Sequence, residues 1–247
     1  MSVRERIRLN SKPISEDLFA KYFFEVWNSL RMDKDSSNPT PNYFRFLTLM
    51  SFHVFLQEKV EVAIYEVGVG GEFDSTNIIE NPVVSGIATL GIDHVDTLGK
   101  TIDRIAWHKA GIMKTGCPAF TVEQRPQAME VLEQRAAEKK TELSTVTVKD
   151  SLKDIRLTPS EDYQRKNASL AIELARTALQ RLGVSAERIT ADSDEMIEGL
   201  EGLKWRGRSE IKTVGKQRWY LDGAHTDDSL DVACHWAGKA MQKRFVV

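Results

Sequence analysis

Two cysteines, Cys117 and Cys234, are all that this 247-residue chain has. They stand far apart and in no metal-type spacing, so a thiolate metal site is not expected, and both read as reduced, buried thiols of an intracellular protein. An excess of either charge is also missing: 34 Lys and Arg face 36 Asp and Glu, for a net charge of −2. The chain therefore carries no electrostatic footprint for nucleic acid or for an acidic membrane. No apolar run approaches the ~20 residues of a membrane-spanning helix. The opening Met1-Ser2-Val3-Arg4-Glu5-Arg6 has no apolar signal core, so secretion is not expected. Internal repeats and low-complexity tracts are lacking as well.

What is present is enough apolar material for a packed core, 41% hydrophobic residues against 28% charged, and a length that allows one large domain or two small ones. Leu18, Phe19, Tyr22, Phe23, Val26, Trp27 and Leu30 recur at helical spacing over residues 14–32. Residues 33–41 read as a polar loop with two prolines. Residues 42–58 are apolar almost all round and read as a helix buried in a larger assembly. Short apolar runs at 62–67 and 83–92 predict parallel strands buried on both faces, with a connection long enough for a crossover. A short helix over 101–112, a strand over 118–122, a helix over 126–140 starting at Pro126 and a β-branched strand over 143–148 follow. Over 162–182 the pattern predicts a helix that buries Ala171, Leu174, Ala175, Ala178 and Leu182, with Gly183 just past its end. After a break at 204–209, Ser209–Lys212 and Gln217–Leu221 read as a hairpin around Val214-Gly215, and a helix runs from Asp228 to Lys243. Alternating strands and helices predict an α/β fold, a mostly parallel sheet sandwiched by helices, over residues 1–208. Residues 209–247 are too few for a core of their own and read as the start of a second α/β domain.

Two strand ends carry the chemistry. Val62 to Val67 brings Glu66 to the turn Gly68-Val69-Gly70-Gly71, and Val83 to Ile92 leads into Asp93-His94. Ligands of open parallel sheets bind beyond the carboxyl ends of the strands. Glutamate is a hard oxygen ligand suited to Mg²⁺, and histidine a less typical one, so the pair points to a metal–nucleotide site. Each residue also has a plainer reading: Glu66 as a solvated acid or helix cap, His94 as an ordinary surface or core histidine, Lys109 as a solvated helix lysine, Asp222 and His225 as turn residues.

Three pattern matches fail. Gly99-Lys100-Thr101 ends like a phosphate loop, but the position five before Gly99 that needs glycine is His94. Gly68-Val69-Gly70-Gly71-Glu72-Phe73 resembles a dinucleotide fingerprint until Phe73 takes the place of its third glycine. Asn167-Ala168-Ser169 has the glycosylation pattern but lies in an expected helix.

The stretches Tyr65-Glu66-Val67-Gly68-Val69-Gly70-Gly71-Glu72-Phe73-Asp74-Ser75-Thr76-Asn77, Leu90-Gly91-Ile92-Asp93-His94 and Ile105-Ala106-Trp107-His108-Lys109-Ala110-Gly111-Ile112 occur in one order with Asn167-Ala168-Ser169-Leu170-Ala171, Leu203-Lys204-Trp205-Arg206-Gly207-Arg208 and Tyr220-Leu221-Asp222-Gly223-Ala224-His225-Thr226. In that order they resemble the eukaryotic form of the folylpolyglutamate synthase family, within the Mur ligase superfamily. Ser2-Val3-Arg4-Glu5-Arg6-Ile7-Arg8 is similar to the segment after the family's second strand.

The resemblance implies ATP-dependent ligation of L-glutamate to the γ-carboxylate of tetrahydrofolate and its polyglutamates, through an acyl phosphate. It implies ATP and Mg²⁺ as cofactors, with a monovalent cation as an optional third, and a monomer, when complete, of the cytoplasm and also of mitochondria. No nucleic acid and no integral membrane association are expected. Residue by residue, Glu66 and His94 match the family's Mg²⁺ ligands. Lys109 matches a lysine that is carbamylated in bacterial members, and His225 lies near the reacting groups. Asn167, Arg208 and Asp222 match ATP contacts. Asp74, Thr76 and Asn77 shape the glycine turn. Arg206 departs from the family, which commonly has proline there. The family's phosphate loop and first strand precede the matching segment, so the chain reads as an internal piece, inactive as given. Its alternative is a non-catalytic product that binds another protein. A Mur-type or cyanophycin-type ligase would share the chemistry but not the substrate.

Overall fold

The computed structural model describes residues 2–32, 41–159, 161–190 and 193–242. The expected polar loop at 33–41 lies outside the described residues except for Pro41. The chain forms two compact units, Met1–Ile78 and Ile79–Val247.

In the first unit a 3₁₀ turn (Val3–Arg6) leads into a hairpin of β1 (Arg8–Leu9) and β2 (Lys12–Pro13). Its turn residues Asn10 and Ser11 have φ of 48° and 63°, the left-handed pair that two-residue hairpins demand. The aromatic stripe becomes α1 (Glu16–Met32), and the apolar segment after Asn42 becomes α2 (Tyr43–Gln57). Asn42 starts α2 by accepting the Arg45 N–H at 2.9 Å, which satisfies an otherwise orphaned donor. The two helices close over Ile7, Ile14, Tyr22, Met50 and Val54. Cover on α2 is one-sided, since Tyr43 and Leu56 are 61% and 75% exposed; within this unit the helix is not buried all round as expected.

The strand expected at 62–67 does not form. Those residues find no ladder partner among the described residues, and Ile64 is 87% exposed. An apolar run encodes the burial a strand would have, but a strand exists only through a neighbour's hydrogen bonds. Tyr65 packs instead against the rings of Phe52 and Phe55, at 4.8 and 5.6 Å.

The second unit holds a parallel sheet in the order β3 (Ser85–Ile87), β4 (Ala119–Val122), β5 (Leu143–Val146). A short α3 (Val95–Leu98), not expected from the sequence, precedes α4 (Ile102–Lys109), and α4 and α5 (Pro126–Glu138) follow their strands as read. Ile87 packs in one cluster with Ala106, Ala128 and Leu132 of α4 and α5. Gly86 faces Leu174 of α6 (Asp162–Arg181), so closely that a Cβ there would lie 2.6 Å from Leu174 Cδ1. Successive strand residues point to opposite faces, so the sheet carries helices on both sides, the expected α/β sandwich.

The predicted run at 83–92 yields only three ladder residues. Beyond Ile87, the Gln124 side chain replaces a neighbouring strand: its Oε1 accepts the Leu90 N–H at 2.9 Å and its Nε2 donates to the Ala88 carbonyl at 2.9 Å. The buried Thr121 Oγ1 donates to the Ile87 carbonyl at 2.9 Å. The buried face of α6 also differs from expectation. Ala168, Ser169, Leu170 and Ile172 are buried, while Ala171 and Leu182 are exposed. Leu152, Ile155 and Leu157 pack against the first half of α6 and select its face. Gly183 takes the expected left-handed conformation, φ 84°.

After α7 (Asp194–Glu201), the antiparallel hairpin of β6 (Glu210–Val214) and β7 (Gln217–Leu221) turns at Gly215, and α8 (Asp227–Gln242) follows. Trp236 of α8 is buried and meets the Tyr220 ring at 5.9 Å. Both thiols are free, but neither is buried as expected: Cys117 is half-buried in the turn feeding β4 and Cys234 is exposed on α8. No helix among the described residues is long and apolar enough to cross a membrane.

Candidate functional site

Glu66 and the glycine turn belong to the first unit. Asp74 ties that turn at both carboxylate oxygens: Oδ2 accepts the N–H groups of Gly68 and Val69 at 3.1 and 3.0 Å, and Oδ1 accepts Thr76 N–H and Oγ1 at 2.9 and 2.7 Å. Asn77 Nδ2 donates to the Glu72 carbonyl at 3.0 Å. The expected shaping role of Asp74, Thr76 and Asn77 is thus present as hydrogen bonds. Gly70 has φ 72°, and Gly68 has the Phe44 ring against it, 2.5 Å from where a Cβ would stand. Glu66, just before this turn, is exposed.

In the second unit, the chain leaving β3 is held by Gln124 as far as Leu90 and then reaches Asp93-His94. His94 is left-handed, φ 49°, and starts α3. That conformation is unusual for a non-glycine residue, and it is fixed by Asp93 Oδ1 accepting the His94 N–H at 2.7 Å. Asp93 Oδ2 lies 3.1 Å from His225 Nε2, across 132 residues of sequence, and 3.8 Å from His94 Nε2. Partial burial would raise the Asp93 carboxyl. The His94 N–H and the charges of His94 and His225 outweigh it, and the carboxyl ends below its usual range. The Gly223 carbonyl at 2.8 Å and the Asp93 carboxylate raise His225 above 6.5, against a smaller opposing effect of Arg208. Burial lowers the Lys109 amine and the Asp93 charge partly restores it. Asp93 is therefore the shared anionic partner of His94, Lys109 and His225. The sequence showed it only as the residue before His94.

The junction residues are placed by the hairpin. Asp222 Oδ2 accepts the Ser209 N–H at 2.6 Å and Oδ1 accepts the Ala224 N–H at 2.8 Å. The exposed Arg208 guanidinium lies over Gly223, 2.0 Å from where a Cβ there would stand, and donates to the Gly207 carbonyl at 3.2 Å. Asn167 is exposed on α6. Beside His94, an open cleft of about 720 Å³ is lined by Val95–Thr101, Arg104, Trp107 and His108, and none of the expected site residues lines it. No group of three or more His, Cys, Asp or Glu side chains that could hold a metal gathers among the described residues.

Over 242 residues the chain is 55% identical to "Folylpolyglutamate synthase" of Neurospora crassa, covering 96% of this chain and 46% of that relative. The chain's relatives are folylpolyglutamate synthases. That of Saccharomyces cerevisiae strain YJM789 is 49% identical over 95% of this chain and 45% of its own length. Among solved structures, an FPGS–AMPPCP complex is similar over the whole of this chain and 64% of that chain, with a TM-score of 0.85 and 28% identity. An FPGS–AMPPCP–folate complex has a TM-score of 0.85 at 27% identity, covering 63% of that chain. The Mycobacterium tuberculosis folylpolyglutamate synthase complexed with ADP has a TM-score of 0.80 at 28% identity, over 96% of this chain and 57% of that one. No family model matches the chain. The chain spans about half the length of the curated folylpolyglutamate synthases it matches.

Proposed function

We propose that this chain is part of an ATP-dependent ligase that joins L-glutamate to the γ-carboxylate of a folate. The observation that carries the reading is 55% identity to a folylpolyglutamate synthase along 96% of the chain, supported by the fold shared with the AMPPCP and folate complexes. In this reading residues 1–208 form the ATPase-type portion and 209–247 begin the glutamate-ligase portion. The protein works as a monomer in the cytoplasm and also in mitochondria.

The chemistry asks for activation of a carboxylate by ATP and attack of an amine on the resulting acyl phosphate, with charge neutralised and water kept away. Arg208 offers an exposed guanidinium for phosphate oxygens. Asp222 Oδ2 accepts from Ser209 N–H and Oγ, and Oδ1 accepts from Ala224 N–H, which leaves Oδ1 a lone pair that can accept from a ribose hydroxyl. Asn167 contributes from α6. Lys109 has its amine shifted towards the neutral form by burial, the form that reacts with carbon dioxide to give a carbamate. Glu66 and His94 are the residues that the family resemblance matches to Mg²⁺, an ion that commonly takes one or two protein groups together with nucleotide phosphates and water. When bound, it supplies positive charge to the phosphates.

The test is ADP release that depends on ATP, a tetrahydrofolate and glutamate, measured for the 247-residue chain and for a chain completed with the flanking segments of a relative. Loss of this activity in Glu66→Ala and His94→Ala supports the assigned roles, and wild-type turnover in both removes them. Intact mass without acid treatment reads Lys109: an added carbon dioxide supports the carbamate, and an unmodified mass argues against it. A non-catalytic, partner-binding role is favoured by the exposed apolar residues Val62 and Ile64. A completed chain without turnover would promote that reading.

A further inference from the structure

The turn after β7 reaches the loop after β3 through one side chain, His225. Its Nδ1 lies 2.8 Å from the Gly223 carbonyl oxygen and its Nε2 lies 3.1 Å from Asp93 Oδ2. Both partners are pure acceptors. A neutral imidazole carries a single N–H and would turn a lone pair towards one of them, whereas an imidazolium donates to both. The backbone supports the same geometry. His225 N–H donates to Ser229 Oγ at 3.1 Å, and Ser229 Oγ also accepts Thr226 N–H at 2.9 Å. The turn is thus pinned to the start of α8 before the ring is placed. From the other side, Asp93 is fixed by the His94 N–H at 2.7 Å.

We propose that Asp93 is a positioning residue for His225, seating the turn after β7 on the loop after β3 and holding the imidazole between two acceptors as a proton-bearing cation, not as a base. The idea deepens the ligase reading and rests on it only for what the cation serves, the anionic groups of the phosphorylated carboxylate. The charged groups facing the pair are Arg208 towards His225 and His94 and Lys109 towards Asp93. Arg208 opposes a second positive charge on His225, so Asp93 supplies the compensation. The contact is largely solvent-exposed, with His225 66% and Asp93 37% exposed at the side chain. Exposed ion pairs add little to stability, so the pair acts on orientation and protonation. Helix α8 is packed independently of this pair through Trp236, which is buried and meets the Tyr220 ring at 5.9 Å. Removing Asp93 therefore leaves the docking of α8 in place.

The experiment is a long-range ¹H–¹⁵N spectrum of the histidine rings in the labelled 247-residue protein, with His225 assigned by its loss in His225→Gln. At pH 6.5, the ordinary histidine midpoint, the wild-type His225 ring is expected to be predominantly doubly protonated. In Asp93→Asn its midpoint is expected to fall by about one pH unit, the scale set by losing an opposite charge at this distance, and Asp93→Glu is expected to recover part of the shift. A wild-type ring in a neutral, singly protonated state at pH 6.5 overturns the proposal without reference to any variant. So does an unchanged midpoint in Asp93→Asn. The spectrum is independent of turnover: failure of folate-dependent ADP release would remove the ligase reading and leave this result standing.

Discussion

The Ser209 N–H donates to Asp222 Oδ2 at 2.6 Å, one residue beyond the last ladder pair of the β6–β7 hairpin, Glu210 with Leu221. Ser209 is buried and left-handed, φ 45°, so its N–H has no strand partner and depends on this carboxylate. The residue matched to a nucleotide contact thus first closes a hairpin. Asp222→Ala is expected to lower stability by about 1–3 kcal/mol, the range for losing a hydrogen bond to a charged acceptor, and Asp222→Asn by less. Denaturant unfolding followed by tryptophan fluorescence checks it. An unchanged midpoint in Asp222→Ala would leave the residue with no structural role.

Gln124 is the second case of a side chain doing a strand's work. It holds Ala88 and Leu90 by the two ends of one amide. Gln124→Ala strips the partly buried Leu90 N–H of its partner, while water can replace it at the exposed Ala88 carbonyl, and is expected to destabilise by about 1 kcal/mol. Hydrogen exchange at Leu90 should accelerate with it. Slow exchange at Leu90 in the variant would mean that the exit loop holds itself.

Gly68 has no room for a methyl group while Phe44 stands over it, 2.5 Å from the Cβ position. The obstacle is an aromatic ring held in the first unit, so Gly68→Ala is expected to cost about 1–3 kcal/mol by overpacking. Phe44→Leu in the same chain should recover part of that loss. Equal destabilisation in single and double variants would show that the ring is not the cause.

Tyr22 donates its phenolic proton to Glu58, and the neighbouring carboxylate raises the phenol from 10.0 to about 12. A raised folded value means that the contribution is fully present below the unfolded value and is lost as pH climbs through the folded one. The first unit is therefore expected to lose stability between pH 10 and about 12, with Tyr22→Phe showing no such loss from this group. Tyrosinate absorbance against pH, compared between the two proteins, is the measurement. A titration of Tyr22 at the ordinary value would sever it from Glu58.

Local order was legible without any structure. Helical spacing located α1, α2, α5 and α6 to within a few residues, because apolar periodicity, the start at Pro126 and the stop at Gly183 act over one or two turns. The α/β class followed from the alternation of elements, and the motif order pointed to folylpolyglutamate synthases. Three things depended on tertiary neighbours. The run at 62–67 has a strand's pattern but finds no ladder partner among the described residues. The buried face of α6 is chosen by Leu152, Ile155 and Leu157. Asp93 becomes the partner of His225 only when two loops 132 residues apart meet. Sequence by itself determined which segments coil and which extend, since those follow from neighbours along the chain. The tertiary structure alone decided which strands pair, which helix face is covered and which carboxylate holds His225, because a hydrogen bond or a packed face needs a second group that only folding brings near.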